Sequence, residues 1–188
     1  MKSRRLPALV LVVVALGGCE LPGAHANDAA VVNGHAIPRA SWDHLVQLTT
    51  QQLKARVPVD LSSDAGKAQV RNLQTQSLRA LIREDLIEEF AQHRNITVTN
   101  ADLDRQVTQL AGALGGQAAL NQRLDQTGES IDDVRHTIRI NILQAKMKVA
   151  SKTYQAEYDK ALNDAQVTAY VAPCDNDHTW PACAGGQR

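Results

Sequence analysis

Aromatic residues are scarce in this chain: Trp42, Phe90, Tyr154, Tyr158, Tyr170 and Trp180 are all it holds in 188 residues. Runs of β-branched residues are short, while Ala, Leu, Gln and Arg are plentiful. Strands draw on the residue types that are missing, so a mainly all-α fold is expected. Net charge is missing too, with 20 basic residues against 20 acidic ones. Without a basic excess there is no electrostatic footprint for a nucleic acid, and that class of partner is excluded. The apolar run at 6–16 is too short to cross a bilayer, which takes about 20 residues. No HExxH, Walker loop, GxGxxG or GxSxG occurs. No catalytic residue, no metal and no cofactor is therefore expected. Cysteine is limited to Cys19, Cys174 and Cys183.

What is present begins at the N-terminus. Lys2, Arg4 and Arg5 precede the apolar run, and Leu16-Gly17-Gly18-Cys19 follows it. Basic start, short apolar stretch and small residues in that order make a cleavable secretory leader. Small residues let the backbone lie extended in a peptidase groove, and the Cys19 thiolate can take a lipid. The arrangement resembles the bacterial lipobox, which implies removal of 1–18 and acylation of Cys19. Several acyl chains anchor stably where one is marginal. The expected location is the cell envelope, lipid-anchored on the periplasmic or outer face of a bacterial membrane. Losing Lys2, Arg4 and Arg5 with the leader leaves the mature chain with an acidic excess of three.

Export decides how the other cysteines are read. Cys174 and Cys183 flank Asp175-Asn176-Asp177-His178-Thr179-Trp180-Pro181-Ala182. In an oxidising compartment the pair reads as a small disulfide loop. Free or intermolecular thiols and a metal site remain as alternatives, although the spacing matches no standard zinc pattern.

Residues 19–28 are small and polar and read as a tether. Val31-Val32 is a short strand, and Asn33-Gly34 is a turn, because both residues tolerate positive φ. Pro38 opens a first helix over 39–56, and Val57-Pro58-Val59 ends it. Ser63 or Asp64 caps a second helix running from about Lys67 to His93, with apolar residues at helical spacing. Asn95 suits a left-handed terminus. Thr99 caps a third helix, with Asp102 completing a capping box. Gly115-Gly116 ends it, and a short fourth helix occupies 117–126. Ser130 caps a fifth, expected from Ile131 to about Asn163. The residues after Asp164 read as another helical turn or a short strand, and Pro173 begins a loop. The domain boundaries expected are 1–18, 19–28, 29–164 and 165–188.

Two chemical clusters compete with plainer readings. Arg83, Glu84, Asp85, Glu88 and Glu89 offer paired carboxylates for acid–base work or cation binding. They lie opposite Leu81, Ile82, Leu86 and Phe90, so a solvated helix surface is the favoured reading. His35, His44, His93 and His136 are scattered, and His136 reads as a surface or partly buried structural residue rather than a ligand.

The order of these pieces has a family likeness. Val31-Val32-Asn33-Gly34 is followed by a helix, then by a long helix ending Leu81-Ile82-Arg83-Glu84-Asp85-Leu86-Ile87-Glu88-Glu89-Phe90-Ala91. Next come Asn95-Ile96-Thr97-Val98-Thr99-Asn100-Ala101-Asp102-Leu103-Asp104, a small helix pair, Gly128, and Ile131-Asp132-Asp133-Val134-Arg135. The pattern resembles the N-terminal chaperone domain of the SurA and PrsA-like extracytoplasmic folding factors, over about Ala29 to Ala150. The resemblance implies a five-helix domain with a short N-terminal β-strand. It also implies partners that are unfolded or nascent exported proteins, held as extended segments. Full-length relatives often add a parvulin-type prolyl isomerase domain. The stretch 165–188 is too short for one, so no isomerase activity is expected. A divergent prolyl isomerase and a non-catalytic adaptor or assembly lipoprotein are the competing functions.

Overall fold

A computed structural model describes residues 25–57 and 60–171. The elements run β1 (Asp28–Val32), β2 (His35–Pro38), α1 (Arg39–Arg56), α2 (Asp64–His93), α3 (Asn100–Leu114), α4 (Gln117–Thr127), α5 (Ile131–Ala150), α6 (Tyr154–Asp164) and β3 (Val167–Ala169). The mainly helical fold agrees with the composition. Among the described residues there are six helices rather than the expected five, and the N-terminal strand belongs to a three-stranded sheet of order β2-β1-β3.

The extra helix arises because the expected fifth helix breaks after Ala150. Ser151 adopts an extended backbone, with φ −142 and ψ 127. Its hydroxyl accepts from the Thr153 backbone N–H at 3.2 Å and lies 3.1 Å from the Thr153 hydroxyl. Short hydroxyl side chains offer the backbone these local partners in place of helical ones. The chain then turns, and α6 packs against α2 and α5.

β1 pairs antiparallel with β2 through a two-residue turn in which Asn33 has φ 49 and Gly34 φ 88. Two successive positive φ values match the right-handed twist of a hairpin, and Asn-Gly adopts them at low cost. β1 also pairs antiparallel with β3. Asn33 joins both connections, since its backbone N–H donates to Gln166 O at 2.8 Å and its Oδ1 accepts from Gln166 N at 2.9 Å. The packed fold therefore continues past the boundary expected at Asp164, through β3 to the buried Val171.

Helix ends follow the cap chemistry in the sequence. The Ser63 hydroxyl accepts from Gly66 N, which starts α2 three residues before the expected Lys67. Thr99 with Asp102 and Ser130 with Asp133 form reciprocal capping boxes. Hydrogen bonds from Thr99 and then from Lys146 hold the Asp102 carboxyl below its ordinary value. Val57 is extended, as expected of a residue that precedes proline.

Two hydrophobic clusters meet along α2. Leu78, Ile82 and Leu86, spaced by four, face the sheet and join Ala29, Ala30, Val32, Ile37, Trp42, Ala169 and Val171. The Trp42 indole N–H donates to the Gln74 carbonyl at 3.0 Å, which gives a buried ring its polar partner. Ile87 and Ala91 face the other way and join Ile140, Leu143, Met147 and Tyr154. Phe90, Tyr154 and Tyr158 pack edge-to-face and stacked around this second cluster. Arg94 lies 4.6 Å from the Phe90 centroid and bonds Glu157 at 2.6 Å, tying α2 to α6.

Candidate functional site

Three helices present stripes to one groove. α1 contributes Ser41, His44, Leu45 and Leu48, spaced as one helical face. α5 contributes Asp133, His136 and Thr137 in the same way, and α2 contributes Leu81 and Glu84. Together they enclose a groove of about 300 Å³ with an apolar floor of Leu45, Leu48 and Leu81. A shallower extension of about 250 Å³ shares Ser41, Leu81, Glu84 and His136 and reaches β2 at Ala36, Ile37 and Pro38.

Polar bridges cross the rim. His44 Nε2 lies 2.8 Å from Asp133 Oδ1 and links α1 to α5. His136 Nε2 lies 3.0 Å from Glu84 Oε2 and links α5 to α2. The Glu84 hydrogen bond raises the His136 pKa above its ordinary value, against burial and the Arg139 charge. Partial burial works to raise Asp133, but hydrogen bonds from Ser130 and His44 outweigh it and hold this carboxyl low. Charged walls over an apolar floor can receive an extended segment, whose side chains pack below while its backbone meets polar groups at the rim.

Two other depressions share Glu129 with the groove. One, of about 200 Å³ between α3, α4 and α5, is lined by Leu110, Leu120, Leu124, Val134 and Ile138. The larger, of about 370 Å³, runs between the end of α1 and α4 and is lined by Gln51, Gln52, Arg56, Arg123, Asp125 and Gln126 among others. Its walls are polar and offer no apolar floor, so size alone does not make it the better site. Among the described residues, large apolar side chains that are plainly exposed occur singly, at Val57, Ile131 and Val149.

The histidines that are scattered in sequence are each placed beside a carboxylate. His35 Nδ1 is 4.0 Å from Asp85, and His93 Nε2 is 3.6 Å from Glu89. His44 and His136 face Asp133 and Glu84, as above. The acidic run on α2 is therefore not simply a solvated face. Arg83 and Glu88 are exposed, but Glu84, Asp85 and Glu89 are half-buried. Burial raises the Asp85 pKa, and the Glu89 and Glu88 charges add to this against the His35 charge. Spacing along the chain could have revealed the His93–Glu89 pair, which is i,i+4. The others join residues 50 or more positions apart. Cys19, Cys174 and Cys183 lie outside the described residues, and with them the expected lipid anchor and disulfide loop.

A family model described as the SurA-like N-terminal domain matches residues 6–148. The chain belongs to that family. No curated protein matches the chain. The family match spans β1 to nearly the end of α5, so the groove is built entirely from matched residues. Helix α6 and strand β3, which close the two clusters of this SurA-like domain, lie beyond the matched segment. Among the described residues, no helix is long and apolar enough to cross a membrane.

Proposed function

We propose that the chain is a lipid-anchored extracytoplasmic lipoprotein that holds extended, apolar segments of unfolded exported proteins, without isomerase activity of its own. The observation that carries the reading is the groove between α1, α2 and α5. Its Leu45, Leu48 and Leu81 floor offers apolar contact, and its histidine–carboxylate rim offers hydrogen bonds to a client backbone. Membership of the SurA-like N-terminal domain family supports a chaperone-like role. The order of basic start, apolar run, small residues and Cys19 supports the anchor.

The test is suppression of aggregation of an unfolded client by the purified chain. Suppression at several-fold excess is expected, and Leu45→Glu should remove most of it while the helical circular dichroism spectrum stays intact. Full activity of Leu45→Glu removes the groove from the mechanism. No suppression by the wild-type chain at that excess removes the chaperone reading. Cys19→Ser should move the protein from the membrane to the soluble fraction. A proline-limited refolding assay should show no acceleration above background.

A second reading is an adaptor that engages one fixed partner. The single, separated exposed apolar residues Val57, Ile131 and Val149 favour it, because promiscuous client binding benefits from a broader apolar surface. A stoichiometric partner in a crosslinked membrane pulldown, together with no effect on client aggregation, would select it.

A further inference from the structure

The hairpin and α2 converge on a set of side chains beside the groove, of which Asp85 also lines the groove's shallow extension. His35 is delivered by the Asn33-Gly34 turn, whose positive φ values swing the start of β2 toward α2. Asp85 and Glu89, one helical turn apart, meet it there. One ligand-type atom from each residue lies within 4.8 Å of the other two. We infer that His35, Asp85 and Glu89 form a binding site for a divalent transition-metal ion of the zinc class.

Two observations of different kinds support the site. The first is convergence: an imidazole and two carboxylates from elements about 50 residues apart meet at one point, and nitrogen with oxygen is a donor set that zinc accepts. The second is an orphaned atom. Asp85 Oδ2 is buried and has no hydrogen-bond partner. A carboxylate oxygen removed from water and left unsatisfied is costly, and its burial requires a proton or a cation. A proton would neutralise that oxygen but leave its O–H without an acceptor. A cation would satisfy it and draw in His35 and Glu89 as well.

The surroundings suit that role. Asn33 Nδ2 donates to Glu89 Oε2 at 2.7 Å, so a group that does not itself ligate fixes one that does. His93 stands 3.6 Å from Glu89 as a further imidazole beside the site. His35 is more than half exposed, which gives an ion a route in and lets the ring move. Ligand atoms around tetrahedral zinc sit roughly 3.3 Å apart, given bond lengths of about 2.0–2.2 Å. The His35–Asp85 separation of 4.0 Å closes to that value by a small swing of the exposed ring. Three protein ligands leave a fourth position for water. A bound ion would fasten the hairpin to the middle of α2.

The experiment is isothermal titration of zinc chloride into the full chain, with free thiols blocked by iodoacetamide. One saturable ion per chain is expected. His35→Gln and Asp85→Asn should each weaken it about tenfold or more, with helical content unchanged. Absence of saturable binding in the wild-type chain overturns the site, as does wild-type affinity in either variant. Where a variant fails to fold, modification of His35 by diethylpyrocarbonate in the wild-type chain decides. Protection by zinc supports the site, and equal modification with and without zinc overturns it. Because neither readout uses a client protein, the outcome is independent of the groove's role.

Discussion

The two hydrophobic clusters share α2 but are closed in different ways. The cluster under the sheet joins Ala29 to Val171, so it is complete only when β3 returns to pair with β1. The cluster on the other side joins Ile87 to Tyr154 and is built from helices that follow one another more closely along the chain. Its closure is aromatic, through Phe90, Tyr154 and Tyr158. The first therefore depends on long-range strand pairing, which is slow and entropically costly to form, and the second on helix packing. The groove opens beside α2 where α5 stands off from α1, bridged by polar groups rather than filled. Stability belongs to the two clusters, and the proposed client site lies in the gap that neither fills.

The sharpest way to break that comparison is to cut the same volume from each side. Ile82→Ala under the sheet and Met147→Ala in the helical cluster each remove a side chain that is nearly inaccessible. Each should cost about 2–5 kcal/mol, measured by urea denaturation. Because α2 carries residues of both clusters, both variants should shift a single cooperative transition. A second transition in either variant would mean that the clusters unfold as separate units.

A smaller loss is expected at Gly66, in the first turn of α2. A Cβ there would collide with the Asp60 carbonyl and the Leu61 backbone. The loop cannot yield as the end of a side chain would, so Gly66→Ala should cost about 1–3 kcal/mol despite its better helix propensity. Unchanged or increased stability by urea denaturation would show that the loop before α2 is free to move. Ser130→Ala, which removes one half of the α5 capping box, should cost about 1 kcal/mol in the same assay. An equal loss in Thr99→Ala is expected, because α3 starts with the same reciprocal box.

These sites differ in how visible they are from sequence. The bounds of α1 were legible because Pro38 marks one end and Val57-Pro58 the other. Thr99, Ser130, Asn33 and Asn95 were legible because caps and left-handed turns depend on local side-chain chemistry. The break at Ser151 was not, since apolar residues continue at helical spacing on both sides of it. The role of β3 was not, since three residues carry little signal and their partner lies near the other end of the described chain. Gly66 falls just before the helix start expected at Lys67, and nothing local in the sequence shows the close approach of Asp60. The groove was hidden for the same reason as the histidine pairs. Its floor and rim come from three helices, with His44 and Asp133 separated by 89 positions.

The smallest effect is expected at His136, and its sign is what makes it useful. The hydrogen bond to Glu84, with the Glu84 and Glu88 charges, raises the His136 pKa above 6.5 against burial and Arg139. A raised value means that the folded chain holds the proton more tightly than the unfolded chain does. The stabilising contribution is then fully present below the unfolded value and is lost as pH rises through the folded one. Both side chains are partly exposed, so screening leaves about 0.5 kcal/mol or less. His136→Gln should lower stability by that amount near pH 5 and leave it unchanged near pH 8, measured by urea denaturation at both. A pH-independent loss would mean that packing, not the charged bridge, holds α5 to α2. The groove wall would then be an extension of the helical cluster rather than a polar rim distinct from it.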